Sequence, residues 1–311
     1  MRILLTGASS FTGYWFARQL ALAGHEIVAV FRGEADSYGG ARGRRVTLLK
    51  DIVEPAWNCV FGTDRFLALL PEGRFDLLCH HAAEMDGYRS WDFDWIEASR
   101  RNTFGARDVL TRLASQNVRG IVLTGSVFEP YEGVGDPDHR AFSPYGLAKH
   151  VSFEAFRLEA QRLRVPVGKF VIPNPFGPLE EARFTSYLAG EWGAGRVPVV
   201  KTPDYVRDNI PVSHLALAYA SFCAEIGCAT TAVLRATPSG YVGSQYTFAL
   251  RVAREIGRRA GRDLDVVAAQ QTDFSEPMTR INAASSGPPL DWSETASWDA
   301  LYEYYASTFH L

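Results

Sequence analysis

The sequence has no run of 18 or more apolar residues among its 311, so it predicts no membrane-spanning helix. Its charges are nearly balanced. A formal net charge of -3 and a pI near 6.2 argue against a surface that binds nucleic acid or an anionic membrane. The chain opens on Arg2-Ile-Leu-Leu-Thr6, which is typical of a strand and not of a cleavable signal. We therefore expect a cytoplasmic protein.

Cysteine and lysine are both scarce. The cysteines show no Cys-x-x-Cys spacing and have no paired histidines nearby, which predicts buried reduced thiols and no metal site. They are Cys59, Cys79, Cys223 and Cys228. Only 4 of the 32 basic residues are lysines, so a lysine is more informative here than an arginine. We interpret the arginines within residues 42–45 as solvated.

What the sequence does contain is a tyrosine and a lysine at helical spacing. Tyr145 and Lys149 are four residues apart, so on a helix their side chains share one face. A nearby ammonium favours the phenolate form of a tyrosine. A phenol tuned in this way can act as a general acid or base between a carbonyl and an alcohol. Because one such pair can arise by chance, the surrounding pattern has to support it.

Short apolar runs alternate with longer amphipathic ones in the first half of the chain. We predict strands over residues 2–6, 26–31, 46–49, 76–80, 120–124 and 167–172. We predict helices that start near Phe11, Asp64, Asp94 and Ser143. This alternation indicates an α/β fold with a Rossmann-type, doubly wound parallel sheet.

The rhythm changes after Ile172. A proline-rich loop over residues 173–178 is followed by shorter elements: a helix over 183–190, an extended stretch over 206–211, a helix capped by Ser213, a strand over 233–236 and helices over 244–259 and 298–309. We expect a dinucleotide-binding domain over residues 1–172. We expect residues 173–311 to form a smaller, mainly substrate-binding α/β lobe, with a segment at about 230–243 that returns to the sheet.

A turn with two glycines joins the first strand to the first helix. The sequence Thr6-Gly7-Ala-Ser-Ser10-Phe11-Thr12-Gly13 stands where a dinucleotide pyrophosphate meets a helix N-terminus. Glycine at both ends permits a tight turn and close packing of helix on strand. Ser10 replaces a third glycine, but it is small and can donate a hydrogen bond. Candidate cofactor contacts are Gly7, Ser10, Phe11, Thr12 and Gly13.

The end of the second strand bears on the choice of cofactor. It carries Arg32 and no acid, so a 2′-phosphate has a partner there and the ribose hydroxyl of NAD does not. A solvated Arg32 is the alternative. We expect NADP to be favoured over NAD.

Two more strand ends supply candidate cofactor contacts. Asp51 and Ile52 follow the third predicted strand and could meet the adenine, although Asp51 could equally be a turn carboxylate. Ala82 and Ala83 follow the fourth strand and are small enough for backbone to lie against the cofactor. The preceding pair, His80-His81, does not predict a metal site, because adjacent strand residues point to opposite faces.

With these pieces in order, the chain resembles an extended short-chain dehydrogenase/reductase of the nucleotide-sugar epimerase/dehydratase family, over nearly its whole length. The motifs that carry the resemblance are Thr6-Gly7-x-x-Ser10-Phe11-x-Gly13, Asp51-Ile52, His80-x-Ala82-Ala83, Asn102-Thr-Phe-Gly105, Leu123-Thr124-Gly-Ser126-Val127-Phe128, Tyr145-x-x-x-Lys149, Asn174-Pro-Phe-Gly-Pro178 and Arg207-Asp208-Asn-Ile-Pro-Val212.

The resemblance implies roles for individual residues. Thr124 would be the hydroxyl partner of Tyr145, Lys149 would also bind the nicotinamide ribose, and Asn102 would brace this region. Pro173 would contact the cofactor. The substrate contacts would be Ser126, Asn174 and Arg207, the last two at the diphosphate. A homodimer through helices near residues 94–116 and 143–164 is implied as well.

The implied reaction moves hydride between the nicotinamide and C4 of a nucleotide-linked sugar while Tyr145 moves the proton. Family dehydratases follow the hydroxyl residue with an acidic pair, and here those places hold Gly125 and Ser126, so a 4,6-dehydratase is disfavoured. Arg32 favours reduction of a nucleotide-linked 4-keto (deoxy)sugar with NADPH. A 4-epimerase with tightly bound NAD is the alternative, and a non-catalytic dinucleotide-binding sensor is a remote one.

Overall fold

The structure is a computed structural model that describes residues 1–134, 138, 140–230, 233–282 and 291–311. The chain divides into two compact units. The first unit takes in residues 1–132, 139–172 and 216–237, and the second takes in residues 133–138, 173–215 and 238–311.

Strands and helices alternate along most of the chain. The strands are β1 Arg2–Thr6, β2 Glu26–Val30, β3 Glu54–Ala56, β4 Leu77–His80, β5 Gly120–Ser126, β6 Val167–Ile172, β7 Asn174–Phe176, β8 Val199–Val200, β9 Val206–Pro211, β10 Val233–Ala236, β11 Tyr241–Ser244, β12 Val267–Ala268 and β13 Thr279–Arg280. The helices are α1 Phe11–Leu22, α2 Gly40–Leu49, α3 Asp64–Gly73, α4 Trp95–Asn102, α5 Ala106–Ser115, α6 Pro144–Leu163, α7 Phe184–Gly193, α8 Val212–Gly227, α9 Gln245–Ala260 and α10 Glu294–Phe309.

The first unit is built on a seven-stranded parallel sheet. Its strand order is β10-β6-β5-β4-β1-β2-β3, which confirms the Rossmann-type prediction. Strands β1, β4 and β5 are almost entirely buried and have apolar centres, as expected for a sheet that helices cover on both faces. From β1 the chain adds β2 and β3 on one side, and it then returns to add β4, β5 and β6 on the other side of β1. In this fold the crevice at the carboxyl ends of β1 and β4 is the place where ligands bind.

The predicted third strand is wrong. Residues 46–49 form the end of α2, and the third strand is β3, which pairs with β2 through Val28 and Glu54. Val46 and Leu49 are both fully buried and lie three residues apart, a spacing that suits one face of a helix. A short apolar run does not by itself distinguish a helix from a strand.

Two helix predictions need smaller corrections. The helix expected from Asp94 is two helices, because Gly105 adopts a φ of 67° and starts α5 anew. A Cβ at Gly105 would lie 2.6 Å from the carbonyl oxygen of Gly62, so the bend brings two backbones into contact. Ser213 does not cap α8, which already begins at Val212.

The cysteine prediction holds for three residues of four. Cys59, Cys79 and Cys223 are buried and free, whereas Cys228 is exposed, just beyond the end of α8. Cys79 and Cys223 lie together, with 3.7 Å between their sulfur atoms. No helix within the described residues is both long enough and apolar enough to cross a bilayer.

The second unit has its own sheet and core. Strand β9 pairs with β7, β11 and β13, and β8 pairs with β12. Aromatic side chains dominate the core, and the largest of its buried members are Phe176, Trp192, Phe248, Trp298 and Tyr305. An aromatic core of this size gives the smaller unit a substantial apolar area to bury.

A carboxylate lies inside this aromatic core. Tyr305 donates a hydrogen bond to Oε1 of Glu180 at 2.5 Å, and Thr185 donates to the same atom at 2.7 Å. The amide of Gly177 donates to Oε2 at 3.3 Å. Burial outweighs these three donors and raises the pKa of Glu180 from 4.5 to about 7.

This shift makes the stability of the protein depend on pH. A carboxyl group whose pKa is raised by folding holds a proton that the unfolded chain releases, so its contribution is present below pH 4.5 and is lost as pH rises towards about 7. We expect the free energy of unfolding to fall by about 3 kcal/mol across that window, since one pKa unit is worth about 1.4 kcal/mol. Urea unfolding at pH 5 and pH 8 measures the difference. In Glu180→Gln the same comparison should show a much smaller change, and an equal change would contradict the assignment.

Candidate active site

The loop between β1 and α1 is held in shape by its own side chains. Ser10 caps α1 and accepts from the amide of Gly13 at 3.1 Å, while its hydroxyl donates to the carbonyl of Gly7 at 2.9 Å. Gly7 has a φ of 78°, and a Cβ there would lie 2.8 Å from the amide nitrogen of Ala82. The glycine therefore allows the ends of β1 and β4 to meet beside a helix N-terminus, which fits a dinucleotide pyrophosphate.

Thr6 and His80 join these two strand ends. The Thr6 hydroxyl accepts from the amides of His81 at 3.1 Å and Ala82 at 3.0 Å, and it lies 3.1 Å from Nδ1 of His80. Nε2 of His80 lies 3.3 Å from the carbonyl oxygen of Asn102. A carbonyl only accepts, so Nε2 carries the proton and Nδ1 accepts from Thr6. Burial, followed by the charge of Lys149, lowers the pKa of His80 to about 3 and keeps it neutral.

Helix α6 carries the predicted tyrosine–lysine pair. Ser143 caps the helix and Pro144 occupies its first position, so Tyr145 and Lys149 stand in its first turns. The Tyr145 ring is buried against Tyr88, Phe93 and Phe128, whose ring centroids lie 5.4 to 6.1 Å from its own. This aromatic surround restricts the rotation of the phenol.

Lys149 lines a small cleft in the first unit. The cleft brings together three of the residues that the sequence singled out as catalytic, since Thr124 and Asn102 line it as well. Ala82 lies on the same wall, at the end of β4. The other lining residues are His80, Leu123, Ser152 and Phe153.

Asn102 connects three elements around this cleft. Its Oδ1 accepts from the amide of Glu84 at 2.8 Å, and its Nδ2 donates to Ser152 of α6 at 3.3 Å. Ser152 in turn donates to the carbonyl of Ala148 at 2.7 Å. The asparagine thus links the segment after β4 to α4 and to the helix that bears Tyr145.

A cluster of buried charges lies behind the cleft and was missed in the sequence. Nζ of Lys169 lies 2.6 Å from Glu129 and 2.8 Å from Glu132, and all three side chains are nearly inaccessible. The same ammonium lies 4.5 Å from the ring centre of Phe153, which lines the cleft. Glu129 directly follows the motif Leu123-Thr124-Gly-Ser126-Val127-Phe128, so its position beside the candidate site was visible in the sequence.

This cluster affects the pKa of Lys149. Burial has the largest effect and lowers the pKa of Lys149, Glu129 acts against it, and Lys169 adds to the lowering. A lysine with a lowered pKa and an anionic neighbour is suited to tuning a nearby phenol.

The predictions that Asp51 and Ile52 contact the adenine depended on a third strand over residues 46–49, which is part of α2. Asp51 and Ile52 lie in the turn before β3, at the amino ends of the parallel strands. The crevice beside β1 and β4 is at the carboxyl ends. Beyond the carboxyl end of β3 lies Asn58. Its backbone amide lies 3.4 Å from the carbonyl of Gly33, and its side chain donates to Glu34. An adenine contact by Asp51 or Ile52 therefore has no support in the fold.

The arginines nearby divide into two kinds. Arg32 follows β2 and is exposed, and its charge helps to lower the pKa of Glu84. Arg45 is fully buried, and its Nε donates to the carbonyl of Ser9 at 3.0 Å, so the interpretation of residues 42–45 as solvated is wrong for Arg45. Its side chain supports the loop that precedes α1.

The remaining predicted contacts of the first unit lie at strand ends. Ala83 follows β4 directly after Ala82. Ser126 ends β5, where its hydroxyl accepts from the amide of Phe128 at 3.3 Å and its own amide donates to Glu129 at 2.8 Å. Its hydroxyl thus stabilises the turn after β5.

Two predicted substrate contacts lie in the second unit, in the segment that begins at Pro173. Asn174 of β7 pairs with Asn209 of β9, and Arg207 lies two residues before Asn209, so Asn174 and Arg207 share a sheet face. Nδ2 of Asn174 is buried and has no hydrogen-bond partner among the described residues. A buried donor without a partner is costly, which favours a ligand contact there.

Arg207 differs from expectation. Its side chain is only 3% exposed, and it bonds to Oε2 of Glu276 at 2.7 Å and to the carbonyl of Pro277 at 3.0 Å. It is therefore not a surface arginine. Its Nε has no hydrogen-bond partner among the described residues, but Glu276 occupies Nη2, so a diphosphate would have to replace Glu276 there. Sequence spacing placed Arg207 on the correct strand but could not show that a loop 69 residues away neutralises it.

The model of the NAD dependent epimerase/dehydratase family matches residues 3–226. The chain belongs to this family. The match covers β1, the loop with Gly7 and Gly13, the Tyr145–Lys149 pair and β9, and it confirms the resemblance drawn from the motifs. No curated protein sequence matched the chain.

Solved structures of epimerases share the fold over the whole chain. UDP-glucose 4-epimerase from Thermotoga maritima, with UDP-glucose, has a TM-score of 0.76 at 17% identity, covering 99% of each chain. UDP-glucose 4-epimerase from Bifidobacterium longum, in complex with NAD+ and UDP, has a TM-score of 0.73 at 18% identity, covering 99% of this chain and 98% of that one. UDP-glucuronic acid 4-epimerase from Bacillus cereus, with UDP-glucuronic acid and NAD, has a TM-score of 0.73 at 15% identity, covering 99% of this chain and 100% of that one. At these identities the likeness shows the fold alone.

Proposed function

We propose that the protein is a nicotinamide-dinucleotide-dependent oxidoreductase that exchanges hydride with C4 of a nucleotide-linked sugar. The observation that carries the proposal is the cleft of the first unit, where Thr124, Asn102 and Lys149 meet, with Tyr145 one helical turn before Lys149. Residues 1–172 would then bind chiefly the dinucleotide, and residues 173–311 chiefly the substrate.

Each of these four residues has a role that its surroundings support. Tyr145 would move the proton on the reacting oxygen, and Lys149 would stabilise its phenolate. Thr124 would hydrogen-bond the same oxygen. Asn102 would hold α4 against α6 through its hydrogen bond to Ser152. The bound dinucleotide supplies or accepts the hydride. Gly7, Ser10, Phe11, Thr12 and Gly13 would hold it, with Ala82, Ala83 and Pro173 beside them.

The substrate would bind through its diphosphate in the second unit. Asn174 offers a buried donor, and Arg207 would exchange Glu276 for a phosphate. Ser126 would lie near the sugar. Binding energy from the nucleotide is remote from the reacting carbon and can be used to position it.

Water elimination from the sugar is disfavoured at this site. Gly125 and Ser126 stand where family dehydratases carry acids, and neither residue titrates. What remains is reduction of a 4-keto sugar or epimerisation at C4. We favour reduction, because Arg32 is exposed beside the end of β2 and can pair with the 2′-phosphate of NADPH.

The epimerase alternative has specific support from the solved relatives, which are epimerases described with NAD or a UDP-sugar. An epimerase returns the hydride to its own substrate and can keep one NAD through many cycles. A reductase must exchange its cofactor each time. The two functions therefore differ in how the purified protein holds its dinucleotide.

The deciding experiment identifies the nucleotide that copurifies and then titrates the stripped protein with NADPH and NADH. Tightly held NAD together with interconversion of UDP-glucose and UDP-galactose would support the epimerase. Weak, exchangeable NADPH and its oxidation by a nucleotide-linked 4-keto sugar would support the reductase. Absence of dinucleotide binding would contradict both.

Arg32 gives the cofactor preference a direct test. Because hydrogen bonds to charged groups are strong, Arg32→Ala should weaken NADPH binding by about tenfold or more and leave NADH binding within about twofold. Fluorescence titration of each nucleotide measures the affinities. Arg42→Ala removes an equally exposed arginine from α2 and should change neither. An equal loss for both nucleotides in Arg32→Ala would contradict the preference for NADP.

A further inference from the structure

A buried carboxylate lies against the strand end that carries Thr124. Oε1 of Glu129 accepts from the backbone amide of Ser126 at 2.8 Å. A Cβ on Gly125 would lie only 3.0 Å from the same oxygen, so the carboxylate is in contact with the backbone directly after Thr124. Glu129 is only 2% exposed. Burying a carboxylate is costly unless charged partners lie nearby, and its partners therefore indicate its role.

The backbone that leads to this carboxylate packs on the helix that carries Lys149. A Cβ on Gly146, in the first turn of α6, would overlap the carbonyl oxygen of Phe128, so the glycine allows the helix to rest on the backbone just before Glu129. Lys149 follows Gly146 by three residues, a spacing that places both on one face of the helix. The face of α6 that bears Lys149 is therefore turned towards the segment that ends in Glu129.

Lys169 completes these surroundings on the side of β6. Its Nζ lies 2.6 Å from Oε2 of Glu129 and 4.5 Å from the ring centre of Phe153. Phe153 stands one helical turn after Lys149 on α6 and lines the same cleft. Two lysines, one on α6 and one on β6, therefore share the surroundings of one carboxylate.

The contacts of Glu129 favour its ionised form. Oε1 accepts from the amide of Ser126, and Oε2 faces the ammonium of Lys169. A protonated carboxyl group accepts less well at the oxygen that carries the hydrogen, so two donors on two oxygens suit a carboxylate. Burial has the largest effect on the pKa of Glu129 and raises it, whereas Lys169, followed by Lys149, lowers it.

Glu129 is the anionic group that acts on Lys149 within the described part of the chain. Burial lowers the pKa of Lys149, Glu129 raises it, and Lys169 lowers it by less than Glu129 raises it. His80 and His81 approach from the end of β4. Burial, followed by Lys149, lowers the pKa of each to about 3, so both rings are neutral. The pair of Glu129 and Lys169 therefore acts on Lys149 as a net negative charge.

We propose that Glu129 is a positioning residue that serves as the buried counter-ion of Lys149 and keeps its ammonium charged beside Tyr145. The consequence for catalysis rests on the proposed function. Without the carboxylate, Lys149 would lose its proton at lower pH, and Tyr145 would lose the cation that stabilises its phenolate. Because Glu129 and Lys169 are in contact and opposite in charge, their fields nearly cancel at a distance, which leaves Tyr145 the charge of Lys149.

The scarcity of lysine allows a direct test without substrate. The protein has 4 lysines, so carbon NMR of the full chain labelled at lysine Cε gives one signal for each, and its shift follows the ionisation of that ammonium. Loss of one signal in Lys149→Met assigns it. Glu129→Gln keeps the shape of the side chain and can still accept from the amide of Ser126. In this variant the titration midpoint of Lys149 should move to lower pH by about one unit or more.

Glu132→Gln is the matched control. It removes the second carboxylate of the cluster, which pairs with Lys169 and Arg235. The midpoint of Lys149 should move by less than half of the shift seen in Glu129→Gln. No shift in Glu129→Gln, or equal shifts in the two variants, would overturn the proposal, because a role in packing alone does not distinguish the two carboxylates.

A neutral exchange keeps the test available if Glu129→Gln does not fold. Glu129→Gln combined with Lys169→Met removes an anion and a cation together, and Glu132 retains Arg235. Because Glu129 has the larger effect on Lys149, the midpoint should still move to lower pH, though by less than in the single variant. A midpoint that rises or stays in place would also overturn the proposal.

The outcomes separate this inference from the proposed function. If the unaltered protein turns over neither UDP-glucose nor a nucleotide-linked 4-keto sugar while Lys149 responds to Glu129→Gln as expected, the proposed function fails and the counter-ion stands. If turnover is present and the midpoint of Lys149 does not respond, the counter-ion fails and the proposed function stands.

Discussion

Replacing Tyr145 with phenylalanine is expected to reduce turnover by about 10²- to 10⁴-fold, the range that a positioned general acid or base contributes. The substitution removes one oxygen atom and leaves the ring against Tyr88, Phe93 and Phe128. The loss should therefore appear in kcat, with little change in the melting temperature. Steady-state rates with a nucleotide-linked sugar measure it.

The control is the affinity of the same variant for the dinucleotide, which should change little, because the loop from Gly7 to Gly13 is untouched. A second comparison is Tyr88→Phe, which removes a hydroxyl from a neighbouring ring and should leave kcat within about threefold if Tyr145 alone moves the proton. Unchanged turnover in Tyr145→Phe would contradict the role of Tyr145 in proton transfer, and absence of turnover in the unaltered protein would favour the non-catalytic dinucleotide-binding sensor.

Lys169→Met should lower the free energy of unfolding by about 3 to 5 kcal/mol, because it leaves the buried carboxylate of Glu129 without its cation, whereas Glu132 keeps its ion pair with Arg235. Methionine has a similar length, so packing against Phe153 changes little. Burial already raises the pKa of Glu129. In the variant, the loss should therefore be smaller at pH 5 than at pH 8, since Glu129 can take up a proton. Urea unfolding at both pH values measures this.

A matched variant separates charge from packing. Glu129→Gln, Glu132→Gln and Lys169→Met combined remove all three charges and should recover most of the lost stability, as replacement of buried ion pairs by neutral residues often does. If this triple variant is as unstable as Lys169→Met alone, the cluster acts through packing and not through charge.

The sequence predicted the layered fold well because the relevant signals are local. The strands of the sheet are short apolar runs, and the helices predicted from Ser143 and Ser244 begin there, each capped by its serine. The third strand was misplaced because residues 46–49 have an apolar pattern that suits a helix as well as a strand. Because of this error, Asp51 and Ile52 were predicted at the carboxyl ends of the strands, whereas they lie at the amino ends.

The cleft was predicted from motifs, and its supporting contacts were not. Thr124, Asn102 and Lys149 meet as their order along the chain suggested. Lys169 acts through a partner 40 residues away, and such a distance carries no sequence signal. Arg207 shows the same limit, because its pairing with Glu276 depends on a loop that returns to β9.

The backbone at Gly125 has a consequence for redesign of the chemistry. A Cβ at this position would lie 2.9 Å from Cε of Lys169 and 3.0 Å from Oε1 of Glu129. An aspartate grafted there, as a water-eliminating enzyme would need, fits only if those two paired side chains shift. Positions 125, 129 and 169 are therefore best varied together, because a change at position 125 alone disturbs the ion pair beneath it.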